Sequence, residues 1–169
     1  MNIKPQDILV CLKLLASGWP GTYAKLGQEV GLSASEAHAE MRRAQQSGLI
    51  QPLGDQPNKS ALAEFLLHGL RYVFPVQPGP STRGMPTSYG AQPLAHEFAV
   101  SEQDDIPVWP DPQGTRRGYE FKPLCRSVPV AARNDPKLYE WLVLVDALRG
   151  GRARERELAA KIVKQRLGE

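Results

Sequence analysis

The spacing of apolar and polar residues predicts three helices in the first part of the chain. Apolar residues recur with helical period over residues 5–18, a second helix is expected over 22–30, and a third over 33–47. The third begins with Ser33 and Glu36, the spacing of a capping box, in which each side chain accepts a hydrogen bond from the other residue's backbone N–H. A short tight turn therefore separates two short helices.

The same periodicity continues in two later regions. A fourth helix is expected over residues 60–72, and Pro136 stands where a further helix can begin. Two consecutive glycines end that helix after residue 149, and a last helix is expected over 152–167. Helices are thus expected at both ends of the chain.

The middle of the chain, residues 75–135, differs from both ends in amino-acid composition. Proline and glycine recur so often that the pattern predicts an extended segment through which no helix runs. Short strands at 106–109 and 119–124 are expected to form a small hairpin. The segment holds too many aromatic residues for a disordered linker, so we expect it to wrap over the helical parts.

These elements predict a mainly α fold with a minor β component. We expect an N-terminal helical domain over residues 1–74, a proline- and glycine-rich extended segment over 75–135, and C-terminal helices over 136–169. The length of 169 residues is sufficient for a substantial hydrophobic core.

The net charge of +3 is distributed unevenly. Residues 1–59 hold 6 basic and 5 acidic side chains, residues 60–136 hold 7 and 8, and residues 137–169 hold 8 and 5. This mild balance permits nucleic-acid binding without demonstrating it, because binding depends on where the charge lies. The tail itself is typical of a solvated helix face.

The two cysteines, Cys11 and Cys125, are too few for a disulfide framework. The apolar run near the N-terminus is interrupted by Asp7 and Lys13, so we expect neither a signal peptide nor a membrane span. These features favour a cytoplasmic protein in a reducing compartment, with no membrane partner.

Residues 22–50 carry the functional hypothesis. Two short helices joined by a glycine-containing turn are the arrangement that places one helix in the major groove of double-stranded DNA while the other braces it. We expect Ala37, Met41 and Ala44 to form a narrow buried stripe on the second helix. Its remaining faces are polar, as a helix that approaches DNA requires.

The candidate DNA-binding residues lie on this helix and just beyond it. Residues at the helix start are expected to reach base edges or hold a phosphate, and the later arginines to contact phosphates. The loop that follows, residues 51–59, contributes one basic group. The candidates are Ser33, Ser35, Glu36, His38, Arg42, Arg43, Gln46 and Lys59.

The pattern of residues 5–53 resembles the winged helix-turn-helix domains of bacterial transcription regulators of the MarR and ArsR kind. The resemblance is carried by Leu26, by residues 30–33 and by residues 47–50. It implies a DNA-binding transcription regulator with a recognition helix over about 34–47. The loop over 51–59 is shorter than a full two-stranded wing and departs from that pattern.

Two other functions compete with this hypothesis. One is a protein-interaction module on the same scaffold that does not bind DNA. The other is a Mg²⁺-dependent nuclease, in which Asp111 and Glu120 hold the metal and Lys122 polarises the attacking water. The stretch around Asp111 is equally typical of a plain turn. Because the three histidines are scattered, we expect no metal site. The sequence has neither a phosphate-binding glycine motif nor a nucleophile elbow, so we expect no cofactor and no enzyme activity, and it identifies no effector ligand.

The first C-terminal helix carries a wide apolar face, which raises the question of self-association. We expect a homodimer, because operators read by this fold are usually two-fold symmetric. The alternative is packing within the chain onto Phe65, Leu66 and Leu70. The residues of the expected dimer seam are Leu138, Trp141, Leu142, Val145 and Leu148.

Overall fold

A computed structural model describes residues 2–169. Within that range the chain is 55% helical and has eight α-helices and a small three-stranded sheet, which confirms the mainly α class with minor β. The helices are α1 (Pro5–Ser17), α2 (Tyr23–Val30), α3 (Ala34–Gln46), α4 (Lys59–His68), α5 (Leu70–Val73), α6 (Val128–Asn134), α7 (Pro136–Gly150) and α8 (Ala153–Leu167). The strands are β1 (Ser81–Pro86), β2 (Pro107–Pro110) and β3 (Arg116–Glu120).

Side-chain capping fixes where α2 and α3 begin. The Thr22 hydroxyl accepts a hydrogen bond from the Lys25 N–H at 3.1 Å. Ser33 and Glu36 form the expected capping box, with distances of 3.1 and 3.3 Å. Gly31 ends α2 in a left-handed conformation with φ of 76°, which an L side chain rarely adopts. Local sequence therefore dictates the turn between the two helices.

The chain divides into two compact units. Unit 1 comprises the residues up to Leu62 together with Leu124–Trp141, and unit 2 comprises Ala63–Pro123 together with Leu142–Glu169. Two of the boundaries fall within α4 and α7, and the third lies between β3 and α6. Each unit is thus built from two separate stretches of sequence rather than one.

In unit 1, α1 is buried on almost every side. Residues 8–12 have no exposed surface, and the stripe of α3 formed by Ala37, Met41 and Ala44 is buried as expected. Lys13, also on α1, is 4% exposed and forms an ion pair with Asp135 at 2.7 Å. A central apolar helix therefore provides the surface on which α3 packs.

The expectation that no helix runs through residues 75–135 is wrong at α6. This helix begins at Val128 and carries Pro129 in its first turn. A proline is compatible with that position because the first backbone N–H groups of a helix have no intrahelical partner. The fourth expected helix is also divided, since α4 ends at His68 and α5 begins at Leu70.

The three strands of unit 2 pair in an unexpected way. β1 pairs antiparallel with both β2 and β3, and β2 and β3 run parallel to each other. The segments 106–109 and 119–124 do overlap strands, but they do not form the predicted hairpin. Their common antiparallel partner is β1, whose sequence STRGMP lacks the apolar alternation that predicts a strand.

Two glycines allow these strands to close on one another. At Gly84 the carbonyl oxygen of Trp109 lies where a side chain would begin, and at Gly118 the carbonyl oxygen of Ile106 does the same. Any other residue would force the backbones apart. Glycine in this segment therefore has a packing role, besides interrupting helices.

A buried polar group anchors the sheet of unit 2 to α7. The carboxylate of Asp146 accepts hydrogen bonds from Thr87 at 2.6 Å, Trp109 at 2.7 Å and Arg149 at 2.9 Å. Arg149 also donates to the Phe74 carbonyl at 3.0 Å. We call Asp146, Arg149, Thr87 and Trp109 the Asp146 cluster.

The predicted dimer seam on α7 is wrong. All nine residues from 141 to 149 are buried in the single chain, so the wide apolar face belongs to the protein's own core. Residues that are already buried cannot be offered to a second copy without unfolding. Within residues 2–169, no helix is long and apolar enough to cross a membrane.

Candidate nucleic-acid interface

The outer face of α3 is polar and exposed, opposite its buried stripe. Ser35, Glu36, His38, Arg42 and Gln46 all lie on this exposed side. The small buried residues behind them bring α3 close to α1, and this packing fixes the direction in which the polar side chains point. The face thus presents hydroxyl, imidazole, guanidinium and carboxamide groups from one rigid helix.

At the start of α3, two candidates are occupied by capping. Ser33 and Glu36 accept each other's backbone N–H, so their side-chain oxygens satisfy the helix terminus. The Ser33 and Ser35 hydroxyls lie 3.4 Å apart. Ser35 is therefore the candidate at the helix start whose hydroxyl is not used in the cap.

His38 is held by an aromatic neighbour that the sequence did not single out. Its ring makes an edge-on contact with Tyr23, with centroids 4.8 Å apart, and Tyr23 makes a similar contact with Trp19 at 5.0 Å. Such T-shaped contacts restrict the orientation of the imidazole. The start of α2 thus positions a side chain of α3.

The two neighbouring arginines have different environments. Arg42 is exposed, whereas the side chain of Arg43 is 15% exposed and lies toward α1. The Arg43 guanidinium donates to Asp7 at 3.1 Å and also forms an ion pair with Glu40. Because these carboxylates engage it, Arg43 is a poor phosphate contact, contrary to its assignment from sequence. Arg42 remains available.

We call Asp7, Glu40 and Arg43 the Asp7 cluster. Asp7 is fully buried and Glu40 is 6% exposed, so two carboxyl groups share a single guanidinium in a poorly solvated place. Burial and the hydrogen bond with Asp7 raise the pKa of Glu40 to about 7, while Arg43 opposes this rise. Glu40 therefore takes up a proton near neutral pH, well above the ordinary pKa of 4.5 for a glutamate.

The loop after α3 is a tight, hydrogen-bonded turn. Ile50 and Pro57 form an isolated antiparallel bridge, and the Gln51 N–H donates to the Gln56 carbonyl at 2.9 Å. The Gln45 side chain of α3 donates to the Gly54 carbonyl at 2.8 Å. The loop is therefore fixed to α3 although it lacks long strands.

Leu53 at the tip of this loop is fully exposed. Together with Pro52 it faces the same concavity as the polar side of α3. Lys59, the basic candidate of the loop, is exposed at the first residue of α4. The concavity has a volume of about 430 Å³ and is lined by Tyr23, His38, Arg42, Gln45, Gln46, Pro52 and Leu53.

Four residues that line this concavity are absent from the candidates named from the sequence: Tyr23, Gln45, Pro52 and Leu53. Tyr23 contacts His38 between two helices, and Gln45 donates to the backbone carbonyl of Gly54. Neither contact follows from the helical spacing of the sequence. A leucine is more often buried than exposed, whereas Leu53 is exposed at the tip of the turn. Only the run of proline and glycine around Leu53 signals a turn tip.

The structure does not gather the residues of the nuclease alternative. In the parallel pairing of β2 and β3, Glu120 lies beside Val108, and Asp111 is three residues further along, roughly 10 Å away at the rise of a strand. The Asp111 carboxylate accepts the Gln113 N–H at 3.0 Å, as in an Asx turn. Lys122 lies beyond the end of β3 and is exposed.

Across residues 2–169, no group of three or more histidine, cysteine or acidic side chains is arranged to hold a metal ion. Neither Cys11 nor Cys125 forms a disulfide, and burial raises the pKa of Cys11. We found no protein-family model, no curated protein and no solved structure that matches this chain. The geometry of the site is therefore the basis on which a function is proposed below.

Proposed function

We propose that this protein is a transcription regulator that binds double-stranded DNA with α3 as its recognition helix. The observation that carries the proposal is the exposed polar face of α3, which shares one concavity with the loop after it. A helix that is braced from behind and polar in front suits insertion into the major groove. In this proposal α2 and α3 form a helix-turn-helix, and residues 51–58 form a short wing.

The roles of the side chains follow from their exposure and their partners. Ser35, His38 and Gln46 are assigned to base edges, because they are exposed and carry groups that can read the groove. Arg42 and Lys59 are assigned to phosphates, which position the protein without reading sequence. Arg43 instead supports α3 from behind, through the Asp7 cluster.

A homodimer is part of the proposal, because paired recognition helices on two half-sites gain affinity from their linkage. Its contact surface must lie outside the buried stretch of α7. Among the exposed large apolar residues of the described chain are Tyr72 and Val73 in unit 2 and Val130 in unit 1. None of these three lines the concavity beside α3.

One observation favours the second candidate, a protein-interaction module. Few cations are exposed near α3. In the sequence, Glu36 lies six residues before Arg42, and Asp55 lies four residues before Lys59. A face with little net positive charge attracts phosphates only weakly. Direct measurement on duplex DNA distinguishes the two candidates.

The test is fluorescence anisotropy with labelled duplexes from the DNA upstream of the protein's own coding sequence, over a series of salt concentrations. We expect Arg42→Ala to weaken binding to every duplex and to lower the slope of log affinity against log salt by about 0.9. Lys137→Ala, which removes an exposed cation of unit 1 outside α3, is the matched control. If the wild type binds no duplex even at low salt, the proposal is wrong.

A second arm tests base reading and the nuclease alternative. Ser35→Ala and His38→Ala should each cost specific binding about 1–3 kcal/mol while changing binding to random-sequence DNA little. Equal losses on both kinds of DNA would remove these residues from base contact. Repeating the assay with Mg²⁺ should leave the duplex intact, and cleavage that Asp111→Asn abolishes would favour the nuclease.

A further inference from the structure

Two arginines face each other across the sheet of unit 2. In the antiparallel register of β1 and β3, Arg83 is paired directly with Arg117. Both are exposed, whereas the next residues along each strand, Gly84 and Gly118, are buried. Because side chains alternate between the faces of a strand, the two guanidinium groups lie on the same, solvent-facing side.

This pairing is unfavourable by itself. Directly opposite residues of antiparallel strands have Cβ atoms about 4.5–5.5 Å apart, and like charges at that separation repel. Over residues 2–169, no carboxylate forms an ion pair with either guanidinium. Arg116, the other arginine of these strands, instead donates to the backbone carbonyls of Ser101 and Asp104 at 2.7 and 3.1 Å. The charge of Arg83 and Arg117 is therefore not neutralised within the described chain.

The backbone holds these two residues firmly in place. Gly84 and Gly118 pack against the carbonyl oxygens of Trp109 and Ile106 with no room for a side chain. The two arginines immediately precede these glycines, so neither can move away from the other without opening the sheet. A like-charge pair on a rigid support is preorganised for an anion, since the repulsion is present before the anion binds.

We propose that Arg83 and Arg117 form a clamp for a phosphate group on the exposed face of the β1–β3 pair. A guanidinium presents a planar fork of donors that matches the oxygens of a phosphate. A phosphate monoester carries a charge of about −1.5 to −2, close to the two positive charges it would neutralise. This charge balance favours a small phosphorylated ligand, and a nucleic-acid backbone, whose phosphates carry one negative charge each, is the alternative source that the experiment distinguishes. This inference goes beyond the proposed function and does not depend on it.

The experiment combines calorimetric titration with thermal unfolding of the full chain. The probes are inorganic phosphate and pyrophosphate, with sodium chloride at equal ionic strength as the reference. The variants are Arg83→Gln, Arg117→Gln and the double variant. Lys122→Gln, which removes an exposed cation of the same unit, is the control for general charge.

We expect pyrophosphate to raise the unfolding temperature of the wild type and of Lys122→Gln above the value in chloride. Each arginine variant should bind pyrophosphate at least about tenfold more weakly, since a hydrogen bond to a charged group is lost. Without phosphate, each single arginine variant should unfold at a higher temperature than the wild type, because the repulsion is gone. The double variant should gain little more.

Equal unfolding temperatures of the wild type in phosphate and chloride would overturn the clamp. So would an equal loss of binding in Lys122→Gln, which would reveal only a general charge effect. A last arm identifies the source of the phosphate. If Arg83→Gln weakens binding to a random-sequence duplex, the clamp holds a nucleic-acid backbone; if it weakens pyrophosphate binding alone, the clamp holds a small ligand.

Discussion

Both units bury a polar cluster, but the two clusters differ in their balance of charge. In unit 2, the single carboxylate of Asp146 faces one guanidinium and two neutral donors. In unit 1, two carboxyl groups compete for the guanidinium of Arg43. The first arrangement satisfies its carboxylate in one protonation state, whereas the second holds two carboxyl groups for a single cation.

The difference shows why burial alone does not determine protonation. Burial raises the pKa of Asp146, but all of its hydrogen-bonding neighbours donate, which favours the ionised carboxylate. Glu40 has another carboxyl group beside it, and the contact between the two requires a proton. We therefore expect the Asp146 cluster to act as a fixed structural support and the Asp7 cluster to respond to pH.

The largest effect is expected from Asp146→Ala. The change leaves Arg149 as a buried charge without its carboxylate and removes the acceptor of Thr87 and Trp109. We expect the free energy of unfolding to fall by about 3–5 kcal/mol. Urea denaturation followed by circular dichroism measures the change. A loss below about 1 kcal/mol would show that the cluster contributes little.

Arg43→Met should cost less than Asp146→Ala. It removes the cation of the Asp7 cluster, but the remaining carboxyl groups can take up a proton and bond to each other. We expect a loss of about 1–3 kcal/mol that grows as the pH rises, because protonation becomes harder. The same denaturation series at several pH values measures it, with Arg42→Met, an exposed neighbour, as the control. A loss independent of pH would contradict the shared-proton account.

The smallest effect, Glu40→Gln, tests the sign of the pH dependence. The pKa of Glu40 is higher in the folded protein than its ordinary value of 4.5, so the folded state holds more protons between these values. The stability that this group contributes is therefore complete below about pH 4.5 and is lost as the pH rises through about 7.

Glutamine imitates the protonated acid, so Glu40→Gln should remove this loss. We expect it to exceed the wild type in stability by about 1 kcal/mol near pH 8 and to match it near pH 5. Thermal unfolding across this range measures the difference between the two proteins. If the wild type and the variant show parallel pH profiles, Glu40 does not titrate there.

Local sequence signals are sufficient to predict the N-terminal helices. Thr22, Ser33 and Glu36 determine where α2 and α3 begin, and Gly31 determines where α2 ends, all through contacts within a few residues. The buried stripe of α3 follows from spacing alone, because the helical period decides which residues share a face. The residues that determine these helices lie close together in the sequence, which is why the helices can be predicted.

The rest depends on contacts between distant residues. β1 is a strand because its backbone forms hydrogen bonds with both β2 and β3. Its own sequence, STRGMP, does not predict a strand. From the sequence, Arg43 is expected to face outward like its neighbour Arg42. In the structure it turns inward, because its partner Asp7 lies 36 residues away in the sequence. The apolar face of α7 is expected, from the sequence, to bind a second copy of the chain. Periodicity shows that a face is apolar, but it does not show which residues of the same chain cover it. In each case the missing information is a long-range partner.

The division of each unit into two stretches has a consequence for synthesis on the ribosome. Lys13 emerges early, yet its partner Asp135 follows 122 residues later. Until that segment leaves the exit tunnel, the Lys13 ammonium can pair with Glu29, which is 3.4 Å away in the folded chain, but it lacks the buried carboxylate of Asp135. We expect the growing chain to depend on holding chaperones until its last helices appear, and then to fold both units nearly together.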